Sequence, residues 1–316
     1  MLASIGERLT RTQLGRSASP TSVALGSSLA MPLLTPSTVR SLLADHGLRP
    51  RRALGQHFLA DPNTARRIVR LAGVESGDRV LEIGPGLGSL TLALADAGAR
   101  VLALELDRHL APVLEDTVAG AGAVRVEVGD ALAVDFDSLL DDGPWHSVSN
   151  LPYNVAAPVV VRLLEEAPAV RELIVMVQRE VGERLAAGPG DPAYGALSVK
   201  VAFHARSEVV GMVPPTVFVP QPKVESALVR ITRRAQPAVA VRSPERLFTL
   251  VRAGFEQRRK MLRRSLRPVL GDRSAVVLEA AGIDPAARAE ELSLEAWADL
   301  TRAEAAEAAE AEEEIG

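Results

Sequence analysis

Asn150-Leu151-Pro152-Tyr153 joins a primary amide, a proline and an aromatic ring at the end of the apolar-polar run Trp145 to Ser149. The asparagine offers one side-chain carbonyl, and a residue before proline is held extended, so its backbone carbonyl points in a fixed direction. Two acceptors and a flat ring can hold a planar base by its exocyclic amine. Such an amine is a poor nucleophile, because its lone pair is delocalised into the ring. Acceptors at Asn150 Oδ1 and the Leu151 carbonyl favour a tetrahedral nitrogen and ease its attack on a sulfonium methyl; positioning and electrostatics do the rest. Upstream, Glu82-Ile83-Gly84-Pro85-Gly86-Leu87-Gly88 stands where a strand turns into a helix. Glycines there admit a ligand close to the backbone, and the helix N-terminus favours an anionic group. Ser89 occupies the place of the last glycine of the dinucleotide fingerprint, which moves the reading from a nicotinamide cofactor toward S-adenosylmethionine. Glu105, at the end of a second strand, can take both ribose hydroxyls on one carboxylate, with Asp107 the near alternative. Asp130, before Ala131, ends a third strand and can accept from an adenine amino group. Singly, such acids serve equally well as helix caps; three strand ends aimed at one crevice make the joint signal.

The elements that must position these residues alternate. Residues 79–83, 100–106, 124–128, 145–149 and 172–177 read as strands, and 89–97, 108–118, 158–166 and 179–187 as helices. Repeated βα units with near-continuous apolar strands predict a parallel sheet covered on both faces. Gly188-Pro189-Gly190-Asp191-Pro192 interrupts the series, and two strand-like runs, 208–213 and 225–232, close the sheet. Ahead of it, a helical pattern starts at Thr38, and Asp61-Pro62 opens a second helix. After a linker at 237–244 the periodicity is helical: Leu247/Leu250/Val251/Phe255, Met261/Leu262/Leu266, Val276/Val277/Ala280 and Leu294/Trp297/Leu300. The expected organisation is a disordered N-terminal extension over 1–36, an α/β domain over 37–236, a small all-α domain over 237–303 and an acidic tail over 304–316. The extension, rich in Ser, Thr, Gly and Pro, cannot bury enough surface to fold alone. A transit peptide has a similar composition; a dispensable extension, or a true start at Met31, is the simpler account.

At 316 residues with 47% apolar content the chain is globular, and no apolar run approaches the ~20 residues that span a bilayer. The absence of cysteine excludes a disulfide scaffold and a thiolate-held zinc and fits a reducing cytoplasm. The histidines (His46, His57, His109, His146, His204) show no metal-ligand spacing, and no metal is expected. The formal charge of −4 is unevenly spread: residues 301–316 carry a net −5, leaving +1 on the other 300. Arg258, Arg259, Lys260, Arg263, Arg264 and Arg267 fall within ten positions, around apolar Met261, Leu262 and Leu266, and are read as an RNA-phosphate contact.

In order along the chain, from about Arg51 to Leu300, stand Leu54-Gly55-Gln56-His57-Phe58-Leu59, Glu82-Ile83-Gly84-Pro85-Gly86, Glu105-Leu106-Asp107, Gly129-Asp130-Ala131, Asn150-Leu151-Pro152-Tyr153, Tyr194-Gly195-Ala196-Leu197-Ser198, the run from Phe218 to Ala227, and Phe255-Glu256-Gln257-Arg258-Arg259-Lys260. This series resembles the small-subunit ribosomal RNA adenine dimethyltransferases, the KsgA type. The resemblance implies a Rossmann-like class I methyltransferase domain with a C-terminal helical rRNA-binding domain. It also implies S-adenosylmethionine as methyl donor and dimethylation of N6 on two adjacent adenines near the 3′ end of 16S rRNA. The expected partner is the assembling small subunit, and the expected state a cytoplasmic monomer. By the family pattern His57, Leu59, Gly84, Glu105, Asp130 and Asn150 line the cofactor, while Tyr153 and Phe218 sandwich the flipped adenine. His57 stands where asparagine is common, and Ser149 replaces the usual glycine before Asn150. A sister branch that dimethylates large-subunit rRNA and confers antibiotic resistance shares the glycine loop and the Asn-Leu-Pro-Tyr stretch. The Gln257–Lys260 segment, read as helical, and Tyr194-Gly195 favour the small-subunit branch. A DNA adenine methyltransferase would more typically carry proline in place of Leu151. Intact Glu105, Asp130 and Asn150 weigh against a non-catalytic assembly factor.

Overall fold

The structure, a computed structural model, describes residues 32–313. Residues 1–31, most of the expected extension, lie outside the described residues. The packed chain begins earlier than residue 37: Leu33 and Leu34 are buried in the same core as Val39 and Leu43 of helix α1 (Pro36–Asp45). Their apolar side chains override the polar composition of the segment before them.

Nine strands follow among the described residues. Strand β1 (Phe58–Leu59) precedes α2 (Pro62–Ala72), which opens on an Asp61 cap with proline in its first turn, as its sequence predicts. Then come β2 (Arg79–Ile83), α3 (Ser89–Asp96), β3 (Arg100–Glu105), α4 (Ala111–Val118), β4 (Val124–Val128), the short α5 (Phe136–Leu139), β5 (Trp145–Asn150), α6 (Ala156–Glu166), β6 (Val170–Gln178) and α7 (Arg179–Ala186). The run after the Gly/Pro break holds a helix that periodicity does not reveal, α8 (Ala196–His204), and then β7 (Ala205–Val213), β8 (Phe218–Val219) and β9 (Ser226–Arg233).

The main sheet has the order β4-β3-β2-β5-β6-β9-β7. Its first five strands are parallel; β9 runs antiparallel to both β6 and β7. Side chains alternate across the strands. Val80, Val101, Ala103, Val148 and Met176 pack toward α2, α3 and α4, while Leu81, Ile83, Leu102, Leu104 and Val175 pack toward α5, α6 and α7. The chain leaves β2 toward β3 and β4, then returns to the opposite flank at β5. That reversal opens a crevice beyond the carboxyl ends of β2 and β5, where open α/β sheets bind ligands. Ile83 and Asn150 are the last residues of those strands.

Helices α9 (Pro244–Glu256), α10 (Leu262–Ser265), α11 (Arg267–Leu270), α12 (Ser274–Ala280) and α13 (Leu294–Glu313) surround a third core around Trp297, Leu250 and Leu266. Tyr194, Val199 and Phe203 contribute to it from the α/β side, so the α8 segment is shared between two cores. Three of the expected core positions are exposed: Met261 (39%), Val276 (52%) and Ala280. The expected tail begins inside α13, and Glu304 is no tail residue, since its carboxylate pairs with Arg246 of α9. Gln257–Lys260 is a turn after α9 rather than a helix, with Gln257 at the helix cap.

Candidate active site

A cleft with an empty volume of about 1080 Å³, counted to its open mouth, lies at the crevice. The glycine turn after β2 meets the strand tip of β5 there. Gly84 has φ +69°, and a Cβ on it would stand 3.2 Å from Pro152 Cδ. A side chain at this position is disfavoured both by backbone conformation and by crowding against the proline. Gly86 (φ +59°) lies under the Phe58 ring in the same way. Ser89, at the head of α3, donates its hydroxyl to the Leu59 carbonyl and so ties β1 across the turn.

Asn150 donates Nδ2–H to the His57 carbonyl at 3.2 Å. A carbonyl accepts only from the NH₂ end of the amide, so this bond fixes which end is Oδ1 and leaves that oxygen as an acceptor. Ser149, buried behind it, accepts the Ile83 N–H on its hydroxyl at 2.9 Å. The residue that replaces glycine thus bonds the tips of β2 and β5 to each other. Tyr153 is held at both ends: its hydroxyl bonds Ser226 at 2.7 Å, and its ring lies 5.3 Å from the His57 ring at 30°. The His57 Nδ1–H donates to the Pro220 carbonyl at 2.8 Å. Asn154 donates to the Ala53 carbonyl at 3.1 Å, so the segment 51–59 is strapped over the strand tip by backbone and side-chain bonds together.

His57, Leu59, Gly84, Glu105, Asp130, Asn150, Leu151, Pro152 and Tyr153 all line this one cleft. Phe218 is not among its lining residues. It is 3% exposed, opposite Leu59 in the two-stranded β1–β8 sheet, and packs in the core with Phe58. The ring that the structure sets against Tyr153 is therefore His57. At a separation already within the ~4.5–7 Å of an aromatic pair, nothing planar fits between the two. The choice between Glu105 and Asp107 is also plain. Glu105 lines the cleft and accepts from Gly86 N at 3.0 Å and Asp107 N at 2.8 Å. Asp107 is not among the lining residues and is turned to Arg51 (3.5 Å) and Gln56 (3.2 Å).

Burial raises the Glu105 carboxyl above its ordinary range, and the backbone N–H bonds from Asp107 and Gly86 pull the other way. Glu82 is more extreme. It is 1% exposed in the cleft wall, its Oε2 has no hydrogen-bond partner among the described residues, and desolvation, opposed by the neighbouring Thr91 hydroxyl and aided by repulsion from Glu105, pushes it to about 8. A buried carboxyl without a partner is costly unless a cation arrives. Together with the glycine turn, this fits a ligand that carries positive charge, and S-adenosylmethionine does. Two apolar side chains left exposed in the cleft, Leu106 (51%) and Leu132 (39%), suit the faces of a planar ring. Sequence reading singled out none of these three, although Glu82 lies within the glycine motif itself; what marks it is lack of a partner, which only tertiary packing reveals.

In the basic cluster, Arg258 is bound within the protein, to Glu290 at 2.6 Å and to the Pro192 carbonyl at 2.8 Å. Arg267 pairs with Asp272 at 2.7 Å. Arg259, Lys260, Arg263 and Arg264 are exposed and have no carboxylate partner among the described residues.

The sequence model of the ribosomal RNA adenine dimethylase family matches residues 47–305. Ribosomal RNA small subunit methyltransferase A of Leifsonia xyli subsp. xyli is 50% identical over 277 residues, covering 85% of this chain and 97% of the relative. Among solved structures, the 23S rRNA methyltransferase ErmE superposes with TM-score 0.60 at 29% identity, covering 78% of this chain and 98% of that one. A dimethyladenosine transferase from Plasmodium falciparum shares the fold with TM-score 0.66 at 24% identity over 77% and 96% of the two chains. With this match over most of its length, and with a glycine turn and an Asn-Leu-Pro-Tyr tip sharing one cleft, the chain belongs to the ribosomal RNA adenine dimethylase family.

Proposed function

We propose that this enzyme dimethylates N6 of two adjacent adenines in the 3′-terminal hairpin of 16S rRNA, using S-adenosylmethionine, on an assembling small ribosomal subunit. One observation carries the reading: Gly84, in the turn suited to the donor, packs directly on Pro152, in the tip suited to the target amine. The 50% identity to a small-subunit enzyme, against 29% to a large-subunit one, supports the choice of subunit.

In this reading Gly84 and Gly86 bring backbone against the donor, Glu105 takes its ribose hydroxyls, Asp130 its adenine amino group, and His57 and Leu59 close the near side. Glu82, protonated in the free protein, loses its proton as the cationic donor arrives and then supplies negative charge to it. When bound, the donor supplies an electrophilic methyl group on a positively charged sulfur. Asn150 Oδ1 and the Leu151 carbonyl accept the two N6–H bonds of the target adenine and aim its lone pair. Tyr153 offers the ring face that His57 leaves uncovered. As the N6–C bond forms, the C–S bond breaks and sulfur keeps the electron pair. The nitrogen then sheds its proton to water, because the N-methylated cation is strongly acidic. Pro152 keeps the tip rigid throughout, so little reorganisation is needed at the moment of transfer. Phe218 supports β1 from the core in this conformation. Arg259, Lys260, Arg263 and Arg264 contact RNA phosphates.

The test is incubation of the purified chain with labelled S-adenosylmethionine and, in parallel, unmethylated small subunits and unmethylated large-subunit rRNA, followed by mapping of the modified nucleotides. Label on two adjacent adenines of the 3′-terminal hairpin is expected. Label confined to large-subunit rRNA, or absent, overturns the assignment.

A further inference from the structure

One wall of the cleft is a loop, the segment after β4 that carries Asp130. Its internal bonds are local: Leu132 N–H donates to Asp130 Oδ1 at 2.8 Å, and Ala133 N–H and Val134 N–H donate to the Asp130 carbonyl at 2.9 and 2.8 Å. These bonds shape the loop and say nothing of where it sits. At its start Gly129 N–H donates to the Glu105 carbonyl at 2.9 Å, and Ala131 is buried in the core; beyond Asp130 its side-chain hold comes from α6. Arg162, with a side chain 16% exposed, donates Nη1–H to the Ala131 carbonyl at 2.8 Å and Nη2–H to the Val134 carbonyl. The guanidinium also pairs with Glu166 at 2.7 Å and lies 5.1 Å from the centre of the Phe136 ring. Helix α6 is the element into which Asn150–Tyr153 runs, through Val155 at its cap. One side chain thus couples the loop beside the donor to the helix behind the target-base tip. The task suits arginine, whose planar fork reaches two carbonyls in a fixed geometry that a lysine cannot reproduce.

We propose that Arg162 is a positioning residue that sets the adenine end of the donor site by anchoring the Asp130 loop to α6. The proposal rests on the reading of Asp130 as the acceptor of the donor's adenine amino group.

The test compares the parent chain with R162Q, R162K and D130A. Binding of S-adenosylhomocysteine and of adenosine is measured by calorimetry, and methylation of unmethylated small subunits by steady-state kinetics. R162Q is expected to raise both dissociation constants and the donor KM about tenfold, the equivalent of one to two hydrogen bonds removed, with kcat at saturating donor within about twofold of the parent. R162K is expected to keep the parent's thermal midpoint more closely and to fall between the parent and R162Q in affinity. If R162Q does not fold, R162K decides: a folded R162K with parental affinity for both ligands overturns the proposal. R162Q with parental affinity, or with a loss confined to kcat, overturns it as well. D130A separates the two layers. If D130A weakens binding and the Arg162 variants do not, only the anchoring role fails. If D130A binds both ligands as the parent does, the reading of Asp130 fails and this proposal with it.

Discussion

A single bond decides how Asn150 can act. By donating to the His57 carbonyl it presents its oxygen, and only its oxygen, as a free acceptor. Asn150→Ala is expected to lower the rate of methyl transfer by a factor on the order of 10²–10³, comparable to removing one preorganised polar group from other active sites. Cofactor binding by calorimetry should survive; a variant with near-parental turnover would remove Asn150 from the chemistry. Glu82 makes a prediction of the opposite kind, about stability. Its carboxyl is raised from 4.5 to about 8 in the folded protein, chiefly by desolvation. Between those pH values the folded state keeps a proton that the unfolded state has lost, so stability falls as pH rises through the window. Glu82→Gln removes this dependence. Its thermal midpoint should exceed the parent's near pH 8 and converge with it near pH 4.5. Parallel pH profiles for the two proteins would show that Glu82 is not held protonated.

At the scale of elements, the site depends on two strand ends staying together. Gly84→Ala places a Cβ 3.2 Å from Pro152 Cδ on a backbone with φ +69°. The left-handed conformation alone costs about 1–2 kcal/mol, and the proline cannot withdraw without moving the tip. The variant is expected to lose donor binding and target methylation together, and retention of either at parental level would separate the turn from the tip. Behind the site, Arg233 of β9 donates to the carbonyls of Leu163, Leu164, Ala167 and Val170 and so closes the C-terminal end of α6. The Leu163 and Ala167 carbonyls also accept the Ala167 and Val170 N–H groups, so Arg233→Ala takes the side-chain donor chiefly from Leu164 and Val170 and should destabilise the protein by about 3 kcal/mol, read as a lower denaturant midpoint with unchanged slope. The α8 segment shows why one helix escaped periodicity. Val201 faces the sheet core while Val199 and Phe203 face the helical core. A helix buried on opposite sides has no polar stripe, and without a stripe there is no 3.6-residue pattern to read.

For the whole molecule, the modest net charge hides a local concentration. Four cations of the basic cluster are available to phosphates, whereas Arg258 belongs to a seam in which Gly190 N–H also donates to the Glu290 carbonyl and Tyr194 donates to that of Leu292. Reversing charge at Arg259, Lys260, Arg263 and Arg264 should weaken binding to small subunits and flatten its salt dependence by up to about 0.9 in log–log slope for each phosphate no longer neutralised. Arg258→Ala should instead lower thermal stability with a smaller change in salt slope. An unchanged slope in the fourfold variant would reduce the cluster to a solvated surface.

Taken alone, the amino-acid sequence determined the strand and helix alternation, the three strand ends that meet at the cleft and the family resemblance, because each rests on residue type and short spacing. Gly84, Glu105, Asp130 and Asn150 are legible in that way: their chemistry is local and their motifs are contiguous. What only the tertiary structure decided is which groups find partners across long sequence distances. It buried Phe218 against β1 and set His57 beside Tyr153 in its place, left Glu82 without a hydrogen-bond partner in the cleft wall, withdrew Arg258 from the basic cluster and turned Asp107 toward Arg51. Burial and pairing belong to the packed chain, and no window of sequence contains them.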